Sequence, residues 1–181
     1  MNINKLENPQ RIAELNPTVT LKKAGLVEKS VLCDIGAGTG LFTIPAAKIS
    51  KNKVFAIEIK QDLVELIRDK AKKESLTNIV ALQTDDNKYS IEDKIVDFAL
   101  MVTVFHEIPE KETLLKETKR ILTSNGKLVI IEFHDKLTPY GPPVSHRIGK
   151  EETTSICKAH GFSKNKEFDL GENFYCIVFN I

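Results

Sequence analysis

The chain has 181 residues, 26 of them basic and 25 acidic, for a net charge of +1, so no strong field draws it to nucleic acid or an anionic membrane. That length suits one domain with a full-sized core, predicted over 1–181. Cys33, Cys157 and Cys176 are scattered without C-x-x-C spacing, which argues against a disulfide frame or zinc site. No apolar run reaches the roughly 18 residues a bilayer span needs, and a cytoplasmic protein is expected.

The first 30 residues read as a helical segment over the site. Asn8 is placed to cap a helix with Pro9 in its first turn, Pro17 interrupts it, and a second helix over 18–24 ends at Gly25. A strand-like run, V-L-C-D-I at 31–35, then stops at G-A-G-T-G, and a helical pattern follows over 41–49. Strand, glycine turn and helix in that order bring main chain close to a nucleotide-like ligand. A dinucleotide fingerprint spaces its glycines G-x-G-x-x-G. Here the third glycine, Gly40, comes one residue early, and Asp34 stands two residues before Gly36. A carboxylate so close repels a pyrophosphate and attracts a cationic amino-acid head group. A ligand with an ammonium, a sulfonium and a ribose fits, and S-adenosylmethionine is such a ligand. The stretch D-I-G-A-G-T-G closely resembles the first motif of class I S-adenosylmethionine-dependent methyltransferases. The resemblance implies cofactor contacts at Asp34, Gly36, Ala37, Gly38 and Gly40.

The next strand, 53–58, ends in Glu58, where a carboxylate can accept from both ribose hydroxyls; the plain alternative is a solvated surface acid. Ile59 belongs to the same expected cofactor set. An amphipathic helix over 61–74 and a short strand over 78–82 lead to Asp85, Asp86 and Asn87. Asp85 is the first choice to accept from an adenine amino group, with Asp86 or Asn87 as substitutes, although all three also favour turns. A near-continuously apolar strand over 95–102 precedes T-V-F-H-E-I-P at 103–109. That segment resembles the fourth motif of small-molecule methyltransferases, which implies that Val102, Thr103 and His106 lie near the methyl donor. His106 stands as an acceptor-side base or positioning group, or as a hydrogen-bonded residue that shapes the cofactor loop. Neither N-P-P-Y nor D-P-P-Y occurs, which lowers amino-group methylation of nucleic acid.

A helix over 109–122 with a stop at Ser124-Asn125-Gly126 is predicted next, then a fifth strand over 127–133 and a proline-rich loop over 136–150. A helix over 151–160 and two strands, 162–170 and 173–181, complete the pattern as a terminal hairpin. The expected fold is α/β: a Rossmann-like three-layer sandwich whose seven-stranded, mostly parallel sheet ends in an antiparallel hairpin. The chain is most similar to the ubiquinone/menaquinone-biosynthesis-like subgroup, without the quinone substrates, because no insertion builds an acceptor domain. His106, Glu107, Glu132, His134 and Asp135 offer mixed N/O ligands, but spacing does not establish convergence and no metal is expected. The function read is methyl transfer from S-adenosylmethionine to a small-molecule acceptor by in-line displacement, giving S-adenosylhomocysteine, in a monomer or homodimer. Methylation of RNA or protein, and a non-catalytic S-adenosylmethionine-binding module, are the alternatives. The early third glycine and Asp34 oppose a nicotinamide enzyme.

Overall fold

The computed structural model describes residues 6–84 and 88–181. Asn8 Oδ1 accepts from the amides of Gln10 and Arg11 at 2.8 and 3.2 Å, and so caps α1 (Pro9–Leu15) as its sequence predicts. α2 (Pro17–Ala24) starts on the interrupting proline and ends at Gly25, whose φ of +101° a side chain would resist. Then follow β1 (Leu32–Ile35), α3 (Thr43–Ser50), β2 (Val54–Glu58), α4 (Gln61–Lys73), β3 (Ile79–Gln83) and β4 (Val96–Val102). The remainder is α5 (Lys111–Ile121), β5 (Leu122–Phe133), α6 (Lys150–Ala159), β6 (Ser163–Leu170) and β7 (Phe174–Asn180).

The seven strands lie in the order β3-β2-β1-β4-β5-β7-β6. β1 to β5 pair in parallel, and β7 pairs antiparallel with both β5 and β6, which is the expected terminal hairpin. Alternation along the strands divides the core between two faces, as a period of two requires. Cys33, Phe55, Ala99, Met101, Leu128 and Ile177 face α5 and α6 residues such as Leu114, Leu115 and Cys157. Leu32, Val54, Phe98, Leu100, Val129 and Cys176 face Leu15, Leu21, Phe42 and Ala46 from α1 to α3. Val64 and Ile67 of α4 close over Ala56 and Ala81. The cysteines are buried as free thiols.

One boundary departs from the sequence reading. Ser124-Asn125-Gly126 does not separate helix from strand, because Leu122 is already extended (φ −72°, ψ 138°) and starts β5 directly after α5. The extra residues are taken up as an irregularity in register: Val96 pairs with Leu122, and Phe98 already pairs with Lys127. Gly126 permits the fold-back, since a Cβ there would lie 2.9 Å from both Thr123 O and Leu122 Cδ2.

Strand order reverses between β1 and β4, so the chain leaves the sheet in opposite directions beyond their carboxyl ends and a crevice opens there. Ile35 is level with Ile57 and Met101, which brings the ends of β1, β2 and β4 to one place.

Candidate active site

A cavity of about 160 Å³ occupies that crevice. Asp34, Gly36, Ala37, Gly38, Glu58, Ile59, Val102 and Thr103 all line it. Gly40 does not; its amide donates to Ala37 O at 2.9 Å and its carbonyl accepts from Ile44, so it joins the turn to α3. Asp85, Asp86 and Asn87 lie outside the described residues.

The turn is held from below. Amides of Gly36 and Ala37 both donate to Ile57 O, at 2.8 and 3.0 Å. Gly36 has a φ of +71°, and a Cβ there would lie 2.5 Å from Val104 Cγ2. Only glycine lets the segment after β4 close against the turn.

Two carboxylates flank this turn. Asp34 is 2% exposed, and its Oδ2 accepts from Thr43 Oγ1 at 2.6 Å in the first turn of α3. Burial raises its carboxyl pKa to about 6; the Thr43 hydrogen bonds pull it down and the charge of Glu58 adds to the rise. Glu58 Oε2 accepts from the Gly38 amide at 2.9 Å, while Oε1 accepts from Ile59 and Lys60 amides at 2.9 and 3.1 Å. Those bonds take three of a carboxylate's about four acceptor positions. Glu58 is therefore a brace between turn and strand, with room for one further donor before an amide must yield. Ile59 beyond it is 64% exposed, an apolar side chain on the cavity rim.

On the β4 side, Thr103 has a φ of +54°, a backbone region that β-branched residues avoid, and its amide donates to Ile131 O at 2.7 Å. His106 does not line the cavity. Its Nδ1 pairs with Glu132 Oε2 at 2.8 Å, and its amide donates to Glu132 Oε1 at 3.1 Å. Burial lowers the imidazole pKa, but the hydrogen bond and charge of Glu132 outweigh it and the net shift is upward. Its Nε2 lies 3.9 Å from Glu107, the neighbour that does line the cavity. His134 turns elsewhere, 3.5 Å from Asp169, and the described residues contain no group of three or more metal-ligating side chains.

Glu107, one of the candidates after the fourth strand, lines the cavity, whereas sequence reasoning missed Leu6, Arg11 and Tyr89. Arg11 left a trace: it is four positions before Leu15, on the one face of α1 that is buried. An arginine on an apolar helix face is the anomaly to look for. Tyr89 sits in a polar stretch with no period around it, and nothing local marks it.

A family profile described as a methyltransferase domain matches residues 33–130, just over half of the chain. A solved S-adenosylmethionine-dependent methyltransferase from Aquifex aeolicus is 29% identical, with a TM-score of 0.93 over 98% of this chain and 95% of that one. An uncharacterized methyltransferase-like protein of Schizosaccharomyces pombe is 27% identical over 76% of this chain and 56% of its own length. The demethylmenaquinone methyltransferase of Lactococcus lactis is also 27% identical, over 62% of this chain and 46% of its own. Other relatives carry the names of ribosomal RNA and tRNA methyltransferases. The chain spans about half the length, or less, of these curated relatives. With the turn, the sheet order and the match in agreement, the chain belongs to the methyltransferase-domain family, of the class I, S-adenosylmethionine-dependent type.

Proposed function

We propose that residues 1–181 act as one cytoplasmic domain that binds S-adenosylmethionine at the glycine turn and methylates a small-molecule acceptor, releasing S-adenosylhomocysteine. The observation that carries this reading is the pair of buried carboxylates, Asp34 and Glu58, on either side of a turn that only glycine can make. Two negative groups in one cavity suit a cationic amino-acid head and ribose hydroxyls, and they oppose a pyrophosphate. When bound, the donor supplies an electrophilic methyl group on a sulfonium. Asp34 takes the ammonium, Glu58 accepts from the ribose, Ile59 covers the base, and main chain at Gly36 to Gly38 and Val102 to Thr103 fixes the rest. Charge is spread rather than created in such a displacement, so alignment and exclusion of water are the chain's main contribution.

Glu107 is the group that meets the acceptor's proton, and His106, clamped by Glu132, positions it. The small-molecule class is supported by the near-balanced charge and by Leu6 and Arg11 of the N-terminal segment, which narrow the cavity. The RNA methyltransferase names among the relatives favour a second reading, RNA methylation, against which the same charge balance weighs.

Calorimetric titration with S-adenosylhomocysteine, with NAD as comparison, tests the donor site. An ammonium beside Asp34 favours its ionised form, so binding below about pH 6 releases a proton. Affinity at pH 5 should be about tenfold weaker than at pH 8. Asp34→Asn should lower affinity and remove that dependence. Binding to NAD alone, or a pH profile identical in the variant, would defeat the reading. Glu58→Ala should weaken binding by about 1.5–3 kcal/mol, the range for hydrogen bonds to a charged group. It should also lower the melting temperature, because three amides lose their acceptor; unchanged values in both assays would remove Glu58 from the site.

A further inference from the structure

Tyr89 lines the cavity and is 6% exposed. Thr84, one residue past β3, lines it too and donates through Oγ1 to Lys88 O at 3.4 Å, which sets Tyr89 beside the end of β3. The Tyr89 ring joins the apolar cluster of Cys33, Phe105 and Leu114. Among the described residues its hydroxyl meets no hydrogen-bond partner; the polar contacts of this residue are all made by its main chain. A buried tyrosine hydroxyl usually finds a partner, and one left unpaired is costly. Burial pushes the phenol pKa upward and the charges of Cys33 and Glu117 add to the rise, so the hydroxyl stays neutral. The main chain of Tyr89 is held from α5. Glu117 Oε1 accepts from its amide at 2.7 Å, and Arg120 Nη2 donates to its carbonyl at 3.2 Å. Arg120 grips Glu117 in turn with two bonds, of 2.8 and 2.7 Å, and pairs with Asp93 further along the segment. Neither Glu117 nor Arg120 lines the cavity.

We propose that the Tyr89 hydroxyl reads one polar edge atom of the donor's purine base, and that Glu117 and Arg120 are positioning residues which hold it there. The proposal rests on the reading of this cavity as the donor site and adds a selectivity device to it. Strand order supplies the direction. With the head group at Asp34 on β1 and the ribose at Glu58 on β2, the next strand outward is β3. The rest of the nucleoside therefore runs toward Thr84 and Tyr89, while the sulfur, between head group and ribose, stays on the β1 side. An acceptor must meet the methyl group on that sulfur, so a group at the β3 side serves the base. Adenine carries an amino donor and ring-nitrogen acceptors, and a hydroxyl rotates to suit either. A site that hydrogen-bonds such an atom rejects an analogue lacking it, because its own polar group is then left unpaired. The pairing of Arg120 with Glu117 is bidentate, a geometry that fixes direction as well as energy. With both main-chain groups of Tyr89 bound to this pair, the reach of the hydroxyl is set from α5.

The test is calorimetric titration with S-adenosylhomocysteine and with analogues that each lack one polar atom of the base: the 1-deaza, 3-deaza, 7-deaza and 6-deamino compounds. The wild type should bind at least one of them about ten- to a hundredfold more weakly than the intact compound. Tyr89→Phe should lower that one ratio about tenfold and leave the others unchanged. Glu117→Ala should lower the same ratio. Glu117→Gln, which can still accept from the Tyr89 amide, should keep it within about twofold of the wild type. Partial unfolding weakens every compound together and leaves the ratios where they were, so it does not imitate the result. Ratios that agree within about twofold between wild type and Tyr89→Phe, for every analogue, would overturn the role of the hydroxyl. A ratio that falls in Tyr89→Phe and holds in Glu117→Ala would overturn the clamp. Failure of the wild type to bind S-adenosylhomocysteine at all would instead overturn the donor-site reading, and this proposal with it.

Discussion

Gly36→Ala should lower the free energy of unfolding by roughly 2–6 kcal/mol and abolish donor binding. Two costs add. The positive φ of 71° is strained for any side chain, at about 1–3 kcal/mol. The new methyl would also stand 2.5 Å from Val104 Cγ2, 3.0 Å from its Cγ1 and 3.3 Å from its Cβ. No rotamer of Val104 removes all three contacts, and overpacking of this kind costs about 1–3 kcal/mol. Denaturant unfolding combined with titration of S-adenosylhomocysteine measures both effects. The double variant with Val104→Ala separates them, because it removes the collision and leaves the backbone term. Recovery of about half the lost stability is expected. A single variant within 0.5 kcal/mol of the wild type would mean that the turn does not need a glycine there.

The second large effect is expected at Glu132. This side chain is 1% exposed and grips both the ring and the main chain of His106. Removing one member of a buried pair typically costs about 3–5 kcal/mol, which is the destabilisation expected of Glu132→Ala. Glu132→Gln keeps the shape and alters the pH response. The imidazole binds its proton more tightly in the folded state, so its contribution is fully present below the ordinary histidine value of 6.5. That contribution is lost as pH rises through the raised folded value. Wild-type stability should therefore carry a component that declines above about pH 6.5, and Glu132→Gln should flatten it. Urea unfolding at a series of pH values, with an NMR titration of the His106 ring, reads the component directly. An unchanged slope in the variant would show that the pair is not an ion pair.

The features that sequence reveals and those it hides differ in range. The run from Val31 to Gly40 is local: apolar residues, glycine spacing and an acid two positions before the first glycine are all visible within ten residues. The alternation of Phe55, Ile57, Ala99 and Met101 against Val54, Phe98 and Leu100 is equally local, and the two-faced sheet follows from it. The Ser124-Asn125-Gly126 stretch misleads because turn-forming residues serve as well in an irregular strand pairing, and the partner register with β4 is not written locally. His106 is legible as a residue near the site, but its direction is set by Glu132, 26 positions away. Arg11 meets Thr103 across 92 positions, a distance at which periodicity carries no information.

The place of β7 in the sheet has a consequence for how the chain is assembled. Glu132 sits on β5 opposite Tyr175 of β7, and the His134 amide donates to Asn173 O. During synthesis β7 emerges after every strand it completes. Until then β5 is an open edge, with main-chain donors and acceptors ready to pair with another copy. A nascent chain that has already formed its glycine turn therefore still lacks the backing of the His106 clamp. Docking of β7 thus does two things at once: it backs the strand that carries Glu132 and so the clamp on His106, and it covers the β5 edge through which incomplete chains would pair.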